Sequence, residues 1–139
     1  MATVKLEVIT PSKKFYSGEV ELVIIRTLTG DEGFMAGHAW ACKLLDVDAM
    51  WIREPDSKDF RVAAIAGGYI DVKDTIIIYT DAAEWQEEID KERAQAAKEE
   101  VEKWLRQESS RDPHEIARAQ IALSKAISRM KVADSGKRR

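Results

Sequence analysis

Asp81-Ala-Ala-Glu-Trp-Gln-Glu-Glu-Ile-Asp-Lys-Glu-Arg93 is where the hydrophobic period of this chain changes. Upstream, apolar residues recur every second position and glycines punctuate the series. Downstream, no glycine occurs until Gly136, and apolar residues recur every three or four positions. A step of two is the side-chain repeat of a strand and a step near 3.6 that of a helix. The stretch therefore joins two folding units, one built of strands and one of helices.

Working upstream, Lys5 to Thr10 alternates around Leu6 and Val8 and stops at Pro11-Ser12. Phe15-Tyr16 and Val20 to Thr27 follow, with a turn expected at Ser17-Gly18. Gly30 to His38 holds three glycines in nine positions, which predicts a sharply shaped loop. Cys42 to Val47 and Met50 to Arg53 read as two short strands, and Pro55-Asp56-Ser57 as a turn. Phe60 to Ala66, Tyr69 to Lys73 and Thr75 to Thr80 complete the series, parted by Gly67-Gly68 (a bulge or a close backbone approach) and by Asp74. Short strands joined by tight turns predict an antiparallel sandwich or barrel.

Working downstream, a first helix is expected from about Ala82 to Gln107, with a stripe of Trp85, Ile89, Ala96, Ala97, Val101, Trp104 and Leu105. Glu108-Ser-Ser-Arg111 breaks it. Asp112-Pro113-His114-Glu115 restarts the chain with an N-cap, a proline at the first helical position and a capping-box glutamate. The second helix places Ile116, Ala119, Leu123, Ile127 and Met130 on one face. The short loop makes the pair an antiparallel hairpin. Two such modest stripes bury little area, so the hairpin depends on docking and can occupy more than one position.

Length and composition exclude several classes. The 139 residues bound one domain, or a small domain with an appendage, and 45% hydrophobic content supports a packed core. A single cysteine, Cys42, rules out a disulfide framework. Neither a signal-peptide core nor an apolar run long enough for a bilayer is present, so the expectation is a soluble intracellular protein without direct membrane insertion. The net charge of −3 is uneven: Glu84 to Arg106 carries eight acidic and five basic residues, Glu115 to Arg139 two acidic and seven basic. Opposite signs favour pairing of the two segments, and the tail Lys137-Arg138-Arg139 favours an acidic partner. A nucleic-acid binder ranks last, because the basic helix lacks interleaved aromatics and the whole chain is acidic.

No CxxC, HExxH, GxSxG or GxxxxGK[ST] pattern occurs, and no metal site or catalytic constellation is expected. His38 has no second ligand or base nearby and reads as structural. Asp90 and Arg93 stand three apart, Lys125 and Arg129 four apart, so each pair shares a helical face. Across an antiparallel groove these charges suit a nucleotide, with cations for phosphates and a carboxylate for an amine or hydroxyl. The competing reading is an ordinary solvated ion-pair network.

Five motifs in order, Val8-Ile-Thr-Pro11, Gly30-Asp-Glu-Gly-Phe-Met-Ala-Gly-His38, Ala66-Gly-Gly-Tyr-Ile-Asp-Val72, Asp81-Ala-Ala-Glu84 and Arg118-Ala-Gln-Ile-Ala-Leu-Ser-Lys-Ala-Ile-Ser-Arg-Met130, together resemble the epsilon subunit of F-type ATP synthases. The resemblance spans Lys5 to Ala133. It implies an N-terminal antiparallel β-sandwich over 1–83 that contacts the gamma subunit and the c-ring, and a C-terminal two-helix hairpin over 84–139 that regulates. The implied role is non-catalytic: a central-stalk rotor subunit, peripheral on the cytoplasmic side of the bacterial cell membrane, coupling ion translocation to ATP synthesis. The extended hairpin would inhibit ATP hydrolysis, its basic helix (Arg118, Lys125, Arg129, Lys131) meeting acidic loops of the catalytic beta subunits beside alpha.

By the same resemblance, Asp31, Glu32, Gly33, His38 and Trp40 form the c-ring and gamma contact loop. The chain departs from the family there: Ala36 stands where proline is common, a second proline is missing within Ala39-Trp40-Ala41, and Trp40 is unusual. Ile89-Asp-Lys-Glu-Arg93-Ala94 matches the family's Ile/Leu-Asp-x-x-Arg-Ala motif for ATP, with Glu84 in the acidic position at the helix start. Lys125 and Arg129 stand where two arginines are usual; lysine keeps the charge but loses the planar fork, which implies weak affinity. No cofactor is required, and ATP enters as a regulatory ligand. The alternative function is an ATP-sensing module in which the hairpin closes on nucleotide.

Overall fold

The computed structural model describes residues 2–107 and 112–134, so the Glu108–Arg111 break, Gly136 and the basic tail lie outside the described residues. Eight strands precede two helices: β1 (Val4–Ile9), β2 (Lys14–Val20), β3 (Leu22–Thr27), β4 (Gly30–Phe34), β5 (Ala41–Arg53), β6 (Arg61–Val72), β7 (Thr75–Tyr79), β8 (Ala83–Trp85), α1 (Lys91–Gln107) and α2 (Pro113–Asp134). The strand order is β2-β1-β7-β6-β5-β3-β4, with β8 also on β6. Every pairing is antiparallel except β1 with β7, which is parallel.

The long hairpin β5–β6 makes the sandwich. Its one end pairs with β7 and its other end with β3 and β8, so the two strands pass from one layer into the other. Between the layers lies a core of alternate residues, including Leu6, Val8, Val23, Ile25, Met50, Ile52, Ile65 and Ile76. Over part of β3, β5 and β6 the intervening residues are covered as well, although Arg26, Leu44 and Tyr69 on the same strands are exposed. Leu22, Ile24, Trp51, Val62 and Ala64 form a second cluster that is closed by Ile89 and by Val132 of α2. One layer is thus apolar on both faces, and the outer face seats the hairpin.

Several local expectations change. Ser17-Gly18 is not a turn but lies inside β2, where Gly18 pairs with Leu6. A Cβ at Gly18 would stand 3.1 Å from the Tyr16 hydroxyl, so glycine makes room for the ring two residues back on the same face. The glycine-rich segment is partly strand, since Gly30–Phe34 pairs with β3. The two short strands expected over Cys42–Arg53 are one, and so are the segments on either side of Gly67-Gly68. Gly68 is a close approach: its φ is 107°, and a Cβ there would meet the Tyr79 carbonyl oxygen at 1.8 Å. The Pro55-Asp56-Ser57 turn is present, with Ser57 N–H donating to the Glu54 carbonyl at 3.2 Å.

The first helix starts later than its period indicated. Ala83–Trp85 is a strand on β6, Gln86–Glu88 a single 3-10 turn, and α1 begins only at Lys91. Trp85 belongs to the sandwich, stacked on Phe15 at 4.6 Å with the Arg61 guanidinium 3.9 Å from its ring centroid. The cap of α2 forms as expected, Asp112 Oδ1 accepting from His114 N–H at 2.9 Å. The α2 face turned inward carries Ala126, Ser128 and Val132, whereas Ile127 is exposed.

Candidate functional site

The segment Ile89–Ala94 is built as a helix start. Asp90 Oδ1 accepts from Arg93 N–H at 3.0 Å, and the Asp90 carbonyl accepts from Ala94 N–H at 3.0 Å. Asp90 is therefore the N-cap of α1. Ile89 packs into the Trp51–Phe60 cluster, and Ala94 is fully buried. Arg93 is exposed.

A cleft of about 580 Å³ opens between the sheet and the helices, within the range that small-molecule sites occupy. Glu84, Lys125 and Arg129 line it; Ile89, Asp90, Arg93 and Ala94 do not. The structure thus brings three of the seven expected residues together and assigns the other four to capping, packing and the surface. Arg129 Nε donates to Glu84 Oε1 at 2.8 Å, so the cross-groove pair is made with the end of the sheet rather than with Asp90. Glu84 is held there by β8, whose backbone pairs with Ala64. Alanines line the cleft from sheet and helices alike: Ala64 and Ala66 from β6, Ala97 from α1, and Ala122 and Ala126 from α2.

Sequence reasoning missed two residues of this wall. Lys13, between β1 and β2, lines the cleft from the sandwich. Ser128 lines it from α2, and its buried hydroxyl has no hydrogen-bond partner among the described residues. Ser128 stands one helical turn from Lys125 and was legible as its neighbour on α2, whereas only the tertiary fold brings Lys13 to the same cleft.

The second group of expected residues lies on and after β4. Asp31 and Trp40 are exposed, Trp40 at 68%. Glu32 accepts from Lys43 on β5, a bond that holds its carboxyl below the ordinary range against the opposing effect of burial. Gly33 pairs with Ile24, and a Cβ there would press on Leu22 at 3.2 Å. His38 is structural in its contacts: its ring packs 4.7 Å from Phe34 and Nδ1 donates to the Ala39 carbonyl at 2.7 Å. Close to this loop, exposed Leu44 pairs across strands with exposed Tyr69, which stacks on Tyr79 at 4.8 Å. That apolar patch escaped the sequence reading.

A chain of charges joins the two regions. Asp31 lies 3.7 Å from Arg26, Arg26 3.6 Å from Asp48, and Asp48 3.5 Å from Lys131 of α2. Of the basic residues expected on α2, Lys131 and Arg129 thus face acidic partners on the sandwich, Arg118 is exposed and Lys125 faces the cleft. Gln86 Nε2 donates to the Val132 carbonyl at 2.8 Å, and Lys91 pairs with Asp134. Among the described residues no group of His, Cys, Asp and Glu could hold a metal ion, and no helix is long and apolar enough to cross a membrane.

Comparison with known proteins follows the same two-part division. Residues 3–86 match the family described as ATP synthase, Delta/Epsilon chain, beta-sandwich domain, and residues 87–134 its long alpha-helix domain. The chain is 40% identical over 133 residues to the ATP synthase epsilon chain of Caldicellulosiruptor saccharolyticus, covering 95% of this chain and 94% of that one. It is 37% identical to the epsilon chain of Bacillus velezensis, covering 96% and 98%. Among solved structures it is similar to a chain of the Euglena gracilis mitochondrial ATP synthase (OSCP, F1 and c-ring), with a TM-score of 0.77, 26% identity and coverage of 92% and 79%. A chain of the Tetrahymena thermophila central stalk and c-ring shares the fold at a TM-score of 0.65 and 13% identity, covering 94% of this chain and 96% of that one.

Proposed function

The chain belongs to the delta/epsilon chain family of ATP synthases, as an epsilon-type chain, and on that premise we propose that it couples ion passage through the c-ring to ATP synthesis and inhibits ATP hydrolysis through its C-terminal hairpin. Such a chain is a non-catalytic subunit of the central stalk. The proposed division assigns residues 1–83 to seating on gamma and the c-ring and residues 84–139 to regulation, with Glu84 and Trp85 staying on the sheet as part of β8 when the hairpin moves. Asp31, Glu32, Gly33, His38 and Trp40 form the seat; Arg118, Lys125, Arg129 and Lys131 meet the catalytic beta subunits, beside alpha, once the hairpin leaves the sheet. The complex would hold this subunit peripherally at the cytoplasmic face of the cell membrane.

The observation that carries the regulatory half is the way α2 is attached. It rests on an apolar sheet face through Val132 and on a few polar ties, Arg129–Glu84, Lys131–Asp48 and Gln86–Val132. A contact that small can be exchanged for another, as a two-position element requires. The test is ATP hydrolysis by the catalytic complex carrying either the full chain or a truncation after Glu88, which retains β8 and the Trp85 stack. Faster hydrolysis by the truncated assembly supports inhibition. Equal rates with intact assembly would sink it.

The cleft favours the second reading, closure of the hairpin on ATP. Glu84, Lys125 and Arg129 line it together with alanines of the sheet and the helices, whose apolar surface suits a ring. Calorimetric titration with Mg-free ATP should saturate for the wild-type chain and weaken for Lys125→Ala. No heat up to about 1 mM ATP, an affinity limit near −4 kcal/mol, removes this reading. Arg93→Ala tests whether the motif acts directly, since Arg93 lies outside the cleft wall.

A further inference from the structure

We propose that Lys13 is a polyphosphate contact supplied by the sandwich, so that a nucleotide in the cleft is gripped from both units at once; this rests on the ATP reading above. The charged groups facing the cleft are Lys13, Lys125, Arg129, Glu84 and Glu88. Arg129 and Glu84 satisfy each other. Neither Lys13 nor Lys125 has an ion-pair partner among the described residues. Lys13 and Lys125 line one cleft from the sandwich and from α2, with the Lys13 ammonium 5.9 Å from the Phe15 ring centroid. Glu88 is the other charged group, so the cations exceed the carboxylates and favour an anion. A ligand with negative charge spread over several phosphates uses both; a monophosphate at one end uses one.

Two further observations fit a ligand of this kind. The Ser128 side chain, on a residue 94% buried (6% exposed), leaves its hydroxyl without a partner among the described residues, an orphan in the lining of the same cleft that a bound acceptor would satisfy. Alanines of β6, α1 and α2 line the same cleft and supply apolar surface for a ring. The regulatory consequence follows from linkage. Lys13 moves with the sandwich and Lys125 with α2, so a ligand touching both binds only the docked hairpin and stabilises that position.

The experiment titrates the full chain with ATP, AMP and tripolyphosphate in Mg-free, low-salt buffer by calorimetry. Lys13→Gln is compared with Lys13→Arg and with Lys73→Gln, an exposed lysine outside the cleft. Lys13→Gln should weaken ATP and tripolyphosphate by about fivefold, as one lost charge contact at a partly open site does, and leave AMP unchanged. Lys13→Arg should restore binding, and Lys73→Gln should match wild type. Wild-type ATP affinity in Lys13→Gln overturns the proposal and leaves the ATP reading intact. Uptake of tripolyphosphate but not ATP, weakened by Lys13→Gln, upholds the Lys13 contact and removes the ATP reading. Absence of binding by all three ligands overturns both.

Discussion

Tyr16 is where one side chain ties three parts of the sandwich together. Its hydroxyl donates to Glu54 Oε2 at 2.9 Å, its ring meets Trp85 edge-on at 5.9 Å, and the Arg61 guanidinium lies 5.9 Å from its centroid. Burial, reinforced by the Glu54 hydrogen bond and charge, pushes its hydroxyl well above the ordinary tyrosine value, with Arg61 opposing weakly. The folded form therefore keeps a proton that the unfolded chain releases near pH 10. The linked stability is fully present below that pH and is lost as pH rises beyond it. Chemical denaturation at pH 8 to 11 should show the midpoint falling above pH 10, and Tyr16→Phe should flatten that fall. An identical decline in the variant would place the alkaline sensitivity elsewhere. At this scale the sequence spoke clearly where chemistry is local and poorly where it is not. Asp112 announced its cap through the proline and glutamate that follow it. Asp90 and Arg93 were legible as neighbours, yet spacing could not tell a ligand-facing carboxylate from an N-cap, and the backbone claims it.

At the scale of elements, the hydrophobic period located most of the strands, but it read β4 as a loop, broke β2 with a turn, cut β5 and β6 into pieces and hid what covers them. Leu22-Val-Ile-Ile25, Ala49-Met-Trp-Ile52 and Val62-Ala-Ala-Ile65 run without polar alternation, the mark of strands buried on both faces. Read that way, they point to a covering element that the weak helical stripes could supply. β8 was invisible for the opposite reason. Ala83-Glu-Trp85 suits a helix by propensity, and pairing with β6 plus stacking on Phe15 overrides it. The charge chain through Asp48 is likewise a matter of tertiary register. Asp48 receives Arg26 from β3 and Lys131 from α2, so it braces the seat of the hairpin. Such partly exposed pairs contribute at most about 1 kcal/mol. Asp48→Asn should therefore speed hydrogen exchange of α2 amides by up to about fivefold at low salt. The difference should close near 1 M salt, where screening acts within about 3 Å. Unchanged exchange at low salt would mean that apolar contact alone seats the helix.

For the whole molecule, the separation into two apolar clusters decides what can move. The core between the layers contains no residue of α1 or α2, whereas the outer cluster is shared between sheet and hairpin. The sandwich can keep its core while the hairpin leaves, and Val132, 1% exposed against Trp51, Phe60, Val62 and Ala64, is the apolar anchor that must let go. Burial of a side chain that size stabilises the docked position by about 1.5–3 kcal/mol. Val132→Asp removes that gain and adds the cost of a buried carboxylate, so the ratio of docked to released hairpin should fall at least about tenfold. In the isolated chain, α2 should become susceptible to limited proteolysis while the sandwich resists as before. In the assembled complex the sign is the informative quantity. If the released hairpin is the inhibitor, Val132→Asp slows ATP hydrolysis below the wild-type rate, while truncation after Glu88 raises it above. Both changes abolish the same docked contact, so a simple loss of packing would move the two rates together. Two variants that both accelerate hydrolysis would show instead that the docked hairpin is the inhibitory form.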